Sequence, residues 1–363
     1  MTDEAYMQRA LELARLGEGA VNPNPIVGAV VVKDGVVVGE GYHAVFGGPH
    51  GEAAALEAAG EAAGGATLYV SLEPCNHHGK TPPCTDRVLA SGITRIVVAT
   101  RDPNPRVAGG GIERLREAGL EVVTGVLEPE AIRANEIYLH FVRTARPFVT
   151  LKLAVSLDGR IATRDRDSQW LTGEASRTEV HRLRRRNAAV LVGVGTVLDD
   201  DPRLTVRHVK GKNPLRVVLD RSGELPLTAA VLDGTARTIL VVSTIDPQRE
   251  EAIRARGAEV WRLPAETGQV DLDRLMERLA SREIDSVLLE GGGETAASFL
   301  EAGWVNKVHW FIAPLLLGGR NAVPAIAGEG AASVAEGIRL VDTDVRRIGE
   351  DILVTGYVGR RFR

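Results

Sequence analysis

The sequence predicts an α/β protein built as two successive units. Three observations carry that expectation. At 363 residues the chain exceeds the roughly 100–200 residues that one hydrophobic core usually serves. Strand-like and helix-like segments alternate along it, with no repeat at the ~20–50-residue period of solenoids and propellers. Hydrophobic residues make up 44% and charged residues 25%, so enough apolar surface is available to offset chain entropy and disorder is excluded for most of the length.

Residues 1–17 read as a polar helix carrying Asp3, Glu4 and Glu12. Two apolar runs, 26–32 and 36–41, flank Lys33-Asp34-Gly35 and read as a hairpin. The alanine-rich stretch 52–63 is helical and stops at Gly64-Gly65. Strands follow at 67–72 and 95–100, a short helix at 112–118 ends at Gly119, and then come a strand at 121–126 and a helix at 130–142. Periodicity breaks at Arg143-Thr144-Ala145-Arg146-Pro147, which divides the chain into domains 1–145 and 146–363. The second series has strands at 148–155, 189–194, 215–219, 238–243 and 286–290, with a helix at 174–186. Gly291-Gly292-Gly293 opens a helix at 295–302, and strands at 305–313 and 352–358 close the series. Segments 209–213 and 327–345 carry no readable signal.

The formal net charge of −4 does not advertise the basic face that nucleic-acid binding needs. No apolar run of ~18 residues and no signal-peptide pattern is visible, so a cytoplasmic protein without membrane contact is expected. Two cysteines are too few for a disulfide framework and point to metal or catalysis.

Both cysteines fall in one stretch. His50-Gly51-Glu52 is followed by Pro74-Cys75 and Cys84, and His43, His50, His77 and His78, four of the eight histidines, lie in the same window. Imidazole and thiolate suit zinc, and three protein ligands leave a position open for water. His50, Cys75 and Cys84 are therefore the candidate zinc ligands. Glu52 is spare, and a carboxylate beside an activated water can take its proton and hand it on, so Glu52 is the candidate catalytic residue. This is the H-x-E…P-C pattern of zinc deaminases, except that eight residues separate the cysteines where two are usual. A purely structural zinc, closed by four ligands, is the competing reading.

Asn22-Pro23-Asn24-Pro25, Gly41-Tyr42-His43, Leu72-Glu73-Pro74-Cys75, Thr81-Pro82-Pro83-Cys84 and Asp102-Pro103-Asn104-Pro105 together resemble the bifunctional deaminase–reductase of riboflavin biosynthesis, over nearly the whole chain. The resemblance implies an N-terminal cytidine-deaminase-like α/β/α domain that deaminates 2,5-diamino-6-ribosylamino-4(3H)-pyrimidinone 5′-phosphate. It places Asn24, His43, His77, Lys80 and Asn104 in the substrate pocket. Lys80 is one of only six lysines, and as a cation in a loop clamped between two metal ligands it suits a phosphate.

No G-x-G-x-x-G stands in the context a standard dinucleotide site requires. Two glycine turns, at 193–196 and 290–295, follow strands and could admit a phosphate, or could merely pack tightly. Segments 152–160, 167–170, 200–207 and Ala313-Pro314 with Leu317-Gly318-Gly319 extend the resemblance to the family's reductase half. That half implies a C-terminal dihydrofolate-reductase-like α/β domain using NADPH. Its pattern turns Ala154, Trp170, Thr196, Asp200, Ser222 and the run Gly292, Gly293, Glu294, Thr295, Ala296, Ala297 and Ser298 toward the cofactor. Ser168, Arg184, Leu204, Arg207 and Glu290 would face the substrate.

Physically, Arg184 and Arg207 suit bidentate phosphate contacts, and Lys152 in an apolar strand needs a partner or a use. Glu290, Asp200 and Lys152 are the candidate proton sources for reduction of the opened sugar, unranked among themselves. The expected partners are a small phosphorylated pyrimidine and a second copy of the chain in a homo-oligomer. Two rival functions remain at this level: a zinc deaminase of nucleosides or tRNA with an accessory C-terminal domain, and a zinc-stapled binding protein.

Overall fold

The computed structural model describes residues 2–77, 82–105 and 110–359. Two compact units divide the chain, residues 1–146 and 147–363.

In unit 1 the elements run α1 (Asp3–Arg15), β1 (Gly28–Lys33), β2 (Val36–Tyr42), α2 (Gly51–Ala59), β3 (Thr67–Val70), α3 (Cys84–Ala90), β4 (Arg95–Val98), α4 (Gly110–Glu117), β5 (Glu121–Thr124), α5 (Glu128–Ala134) and α6 (Glu136–Thr144). The sheet order is β2-β1-β3-β4-β5, with β1 antiparallel to both neighbours and β3, β4 and β5 parallel. Alternation along β1 explains the sandwich. Ala29 and Val31 join the core under α2 and α4, whereas Val30 and Val32 join Tyr6, Met7, Ala10 and Leu11 of α1 on the other face. With both faces covered, β1 reads as an unbroken apolar run.

Two expectations are corrected here. The first helix is not polar throughout: Tyr6, Met7, Ala10, Leu11, Leu13 and Ala14 are buried, and its acidic residues lie in the first turn. The helix expected at 130–142 is two helices, broken at Asn135. That buried amide accepts the Ile26 N–H (2.9 Å) and donates to the Ile26 carbonyl (3.0 Å), tying the lead-in to β1.

Unit 2 contains β6 (Phe148–Ser156), β7 (Arg160–Ala162), α7 (Glu174–Arg186), β8 (Ala189–Gly193), α8 (Val194–Asp200), β9 (Leu215–Leu219), β10 (Thr238–Val242), α9 (Pro247–Ala255), β11 (Glu259–Arg262), α10 (Leu272–Ala280), β12 (Ser286–Leu289), α11 (Gly293–Glu301), β13 (Val305–Ala313), β14 (Val323–Pro324), β15 (Leu340–Ile348) and β16 (Asp351–Val358). Nine strands form one sheet in the order β11-β10-β9-β8-β12-β6-β13-β16-β15, and β7 pairs with β14. All neighbours from β11 to β13 are parallel, and β16 and β15 add antiparallel pairs.

The register creates the site. Leu289, the last residue of β12, pairs with Leu151 of β6, so Lys152 to Ser156 of β6 continue past the end of β12. A crevice opens there between β6 and β8, at the carboxyl ends of parallel strands where ligands of open α/β sheets bind. Segment 193–196, read as a glycine turn after a strand, carries the chain from β8 directly into α8. The sequence reading passed over α9, β11 and α10, and the exposed edge strand β15 begins inside the silent segment 327–345.

Candidate active sites

In unit 1, His50 caps the N-terminus of α2, Glu52 lies in its first turn, and Cys84 opens α3. His50 Nδ1 lies 3.6 Å from Cys75 Sγ and 3.3 Å from Cys84 Sγ, and the three donor atoms fall within 4.8 Å of one another. The Cys84 N–H donates to Cys75 Sγ at 3.4 Å. Hydrogen bonds from Cys84, and then from His50, pull the Cys75 thiol down toward thiolate despite its burial. A nitrogen and two sulfurs converging in this way match the donor set of a zinc site with an open position. Gly51 lets α2 approach the sheet, since a Cβ there would sit 2.7 Å from the Val27 carbonyl oxygen. Glu52 is 2% exposed, and its Oε2 has no partner among the described residues. Burial pushes its carboxyl up to about 7.

The other residues expected in this site gather around the same loops. His43 Nδ1 meets the Pro49 carbonyl at 2.9 Å. A carbonyl only accepts, so Nδ1 carries the hydrogen and Nε2 accepts from Asn24 Nδ2 at 3.2 Å. Burial lowers the His43 pKa, in keeping with a neutral ring. Asn104 Nδ2 donates to the Tyr138 hydroxyl (3.2 Å), and that hydroxyl donates to Asp102 Oδ2 (2.9 Å). His77 is half-buried, and its Nδ1 has no partner among the described residues. Lys80 lies outside the described residues.

Four supporting residues escaped the sequence reading. Glu73 accepts from the Gly111 and Ile112 N–H groups with Oε1 (3.2 and 3.1 Å) and from the Asp102 N–H with Oε2 (3.1 Å). It thus joins the Cys75 loop to α4 and to the Asn104 loop. Asn76 Oδ1 accepts from Thr85 and Arg114, locking the segments after both cysteines. Tyr138 and Asp102 are the others. The signal available was a buried acid inside a quoted motif, at Glu73 and Asp102; Tyr138, 34 residues from Asn104, had none.

In unit 2 the crevice holds Lys152, Arg184, Glu290 and Asp200. Arg184 and Glu290 form a bidentate pair, Nε–Oε1 2.6 Å and Nη2–Oε2 2.8 Å, with side chains 11% and 7% exposed. Burial raises the Glu290 pKa, but the Arg184 charge and hydrogen bonds, with Lys152, outweigh it and hold the carboxyl down. The Arg184 fork expected to grip phosphate is therefore filled by Glu290, and its Nη1 donates to the Thr205 carbonyl (3.2 Å). Arg207 is the more accessible cation; its Nη1 reaches Thr205 Oγ1 at 2.9 Å and its N–H donates to His181 Nδ1 at 3.1 Å. Burial, followed by Arg184, lowers the Lys152 pKa against the opposing pull of Glu290 and Asp200. Ser168 Oγ donates to Asp200 Oδ1 at 2.6 Å.

The cofactor expectations divide. Thr295 sits between the two glycine turns: a Cβ on Gly193 would meet its Oγ1 at 2.6 Å and one on Gly291 its Cβ at 2.7 Å. Gly292 caps α11 without a side-chain bond, leaving a backbone cradle open to an anion. Thr196 flanks this cradle, and Ala154 lies on the part of β6 that continues past the end of β12. Gly293, Ala296 and Ala297 are buried, whereas Glu294 and Ser298 are exposed, so any contact from the buried three is through backbone. Leu204 is likewise a core residue, 2% exposed, with φ of +54°; only its backbone can face a substrate. Ser222 lies on the turn after β9, donating to Glu224 Oε1 (2.9 Å). Trp170, 68% exposed, lines a cavity of about 480 Å³ with Gly173, Ala313 to Leu315 and Ile348 to Asp351, which none of the other expected residues lines.

Comparison with known proteins assigns the class. Residues 1–100 match the cytidine and deoxycytidylate deaminase zinc-binding region, and residues 147–354 match the RibD C-terminal domain. The chain is thus a deaminase unit joined to a dihydrofolate-reductase-like reductase unit. It is 44% identical to the riboflavin biosynthesis protein RibD of Actinobacillus pleuropneumoniae (98% of this chain, 95% of that protein) and 46% identical to that of Bacillus amyloliquefaciens (97% and 95%). Acinetobacter baumannii RibD superimposes with a TM-score of 0.88 at 38% identity (99% of each chain). A Thermotoga maritima diaminohydroxyphosphoribosylaminopyrimidine deaminase/5-amino-6-(5-phosphoribosylamino)uracil reductase does so at 0.87 and 41% (98% and 99%). The chain belongs to the RibD family of riboflavin biosynthesis proteins, bifunctional enzymes with a hydrolytic deaminase and an oxidoreductase. The rival readings are not favoured, and no helix among the described residues is long and apolar enough to cross a membrane.

Proposed function

We propose that this chain carries out two consecutive reactions of riboflavin biosynthesis. In domain 1–145 it hydrolyses the amino group of 2,5-diamino-6-ribosylamino-4(3H)-pyrimidinone 5′-phosphate. In domain 146–363 it reduces the ribosyl group of 5-amino-6-(5-phosphoribosylamino)uracil to ribityl. The observation that carries the reading is the meeting of His50, Cys75 and Cys84 around one point, with Glu52 Oε2, unpartnered among the described residues, beside it.

His50, Cys75 and Cys84 would hold one zinc ion, which when bound supplies the Lewis acidity that makes water a nucleophile at neutral pH. Glu52 Oε2 takes a proton from the water and passes it to the departing amine, which leaves as ammonia. Asn24, His43, His77, Lys80 and Asn104 orient the pyrimidine and its phosphate.

In the second unit the α11 cradle, with Thr196, Thr295 and Ala154, would hold NADPH, which supplies hydride to C1′ of the opened sugar. Trp170 and Ser222 would border that cofactor. Arg207 and Ser168 position the phosphorylated substrate, with the Arg184–Glu290 pair as a rigid wall. Lys152 Nζ, whose pKa burial lowers, would give the proton that balances the hydride, with Asp200 and Glu290 holding its charge. The substrate is a small molecule, and a cytoplasmic homo-oligomer is the form we expect.

Mass spectrometry of the diaminopyrimidinone with purified zinc-loaded protein tests this directly. A gain of about one mass unit without cofactor, and about two more with NADPH, is required. An unchanged substrate overturns the assignment.

A further inference from the structure

The turn that follows β9 is rigid and ends in an uncommitted cation. Asp220, fully buried, accepts the Gly223 N–H (2.9 Å) and the Leu225 N–H (2.7 Å). The Arg221 carbonyl accepts from the Ser243 and Thr244 N–H groups (3.1 and 3.0 Å). Arg249 donates to the Gly223 and Leu225 carbonyls, and Gly223, at φ +77°, packs against Ile245. The backbone of residues 220–225 is therefore held from both sides, while the side chains of Arg221 and Ser222 point to solvent.

Ser222 spends its hydroxyl hydrogen on Glu224. The Arg221 guanidinium has no hydrogen bond or ion pair among the described residues. Gly268 leaves space beside it, since a Cβ there would stand 3.6 Å from Nη2.

Position gives this cation a use. Leu219 pairs with Gly193, so Arg221 projects two residues beyond the strand adjacent to the glycine cradle. Three strand spacings separate β6, with Lys152, from β9, or about 14 Å at ~4.8 Å each. A dinucleotide laid across the carboxyl ends would place its reactive ring at β6, its pyrophosphate at the α11 cradle and its adenosine at β9.

We propose that Arg221 binds the 2′-phosphate of the adenosine moiety and so sets the preference for NADPH over NADH. This rests on the cofactor reading above. A guanidinium fork fits a phosphate monoester and gains nothing from a 2′-hydroxyl. Glu224 makes the contact selective, because with Arg221 removed the turn presents only a carboxylate to an incoming phosphate.

Calorimetric titration of the full chain with adenosine 2′,5′-bisphosphate and with adenosine 5′-monophosphate tests it. Arg221→Gln should weaken the bisphosphate by roughly ten- to a hundredfold and leave the monophosphate unchanged, and Arg221→Lys should restore part of the loss. The NADPH-to-NADH ratio of kcat/KM should fall in parallel. An unchanged bisphosphate affinity, or an equal loss for both nucleotides, overturns the Arg221 assignment alone. Wild-type protein that binds neither nucleotide and oxidises no NADPH overturns the cofactor reading beneath it.

Discussion

Glu52 and Arg184 are both buried charges, and their environments assign them opposite tasks. Glu52 has an oxygen with no partner among the described residues and a raised pKa, as expected of a group that exchanges a proton. Glu52→Gln should retain zinc, measured by metal analysis, and lose deamination by at least a hundredfold. Arg184 is locked to Glu290. Its replacement by alanine leaves a buried carboxylate unpaired and should destabilise unit 2 by about 3–5 kcal/mol, read by denaturant titration. Tyr138→Phe removes the hydroxyl that holds Asp102 and Asn104 together. It should raise the deaminase KM several-fold while kcat and zinc content hold; a fall in zinc content instead would mean a general loss of structure. The sequence made His50, Glu52, Cys75 and Cys84 legible because metal chemistry restricts residue types at short spacing. Glu73, Tyr138 and the Arg184–Glu290 pair were not legible in their roles, since each depends on partners brought near only by the fold.

Elements were readable where periodicity was strong and hidden where another force intervened. β1, β3, β8, β10 and β12 are buried on both faces and stood out as apolar runs. The break between α5 and α6 comes from the Asn135 side chain clamping Ile26, which no local pattern announces. α9 and α10 had caps that could have been read, Asp246 before Pro247 and Asp271. β15 gave no apolar signal, because it is an edge strand with mostly exposed residues. Close approach of α2 to the sheet depends on Gly51. Gly51→Ala pushes a methyl into the Val27 carbonyl and shifts the turn that carries His50 and Glu52. A cost of about 1–3 kcal/mol and weaker zinc retention under chelator competition are expected; unaltered retention would show that the contact does not set the site.

Each unit also carries a buried histidine that resists protonation. Burial, then Arg146, pushes His140 down to about 4, and burial, then Arg184 and Arg207, does the same to His181. Unfolded histidine titrates near ~6.5, so between that value and about 4 the unfolded chain binds protons that the folded chain refuses. Stability is therefore full above about pH 6.5 and falls as the pH drops toward 4. Denaturant midpoints should decline over that window, and less steeply in His181→Gln.

The central claim for the molecule is that two sites on one chain perform successive steps without sharing chemistry. NADPH oxidation by the Glu52→Gln variant, followed with each of the two pyrimidines in turn, tests that claim most directly. Supplied with 5-amino-6-(5-phosphoribosylamino)uracil, the variant should oxidise NADPH at the wild-type rate; supplied with the diaminopyrimidinone, it should oxidise none. Oxidation with the diaminopyrimidinone, or silence with the uracil, would contradict the account.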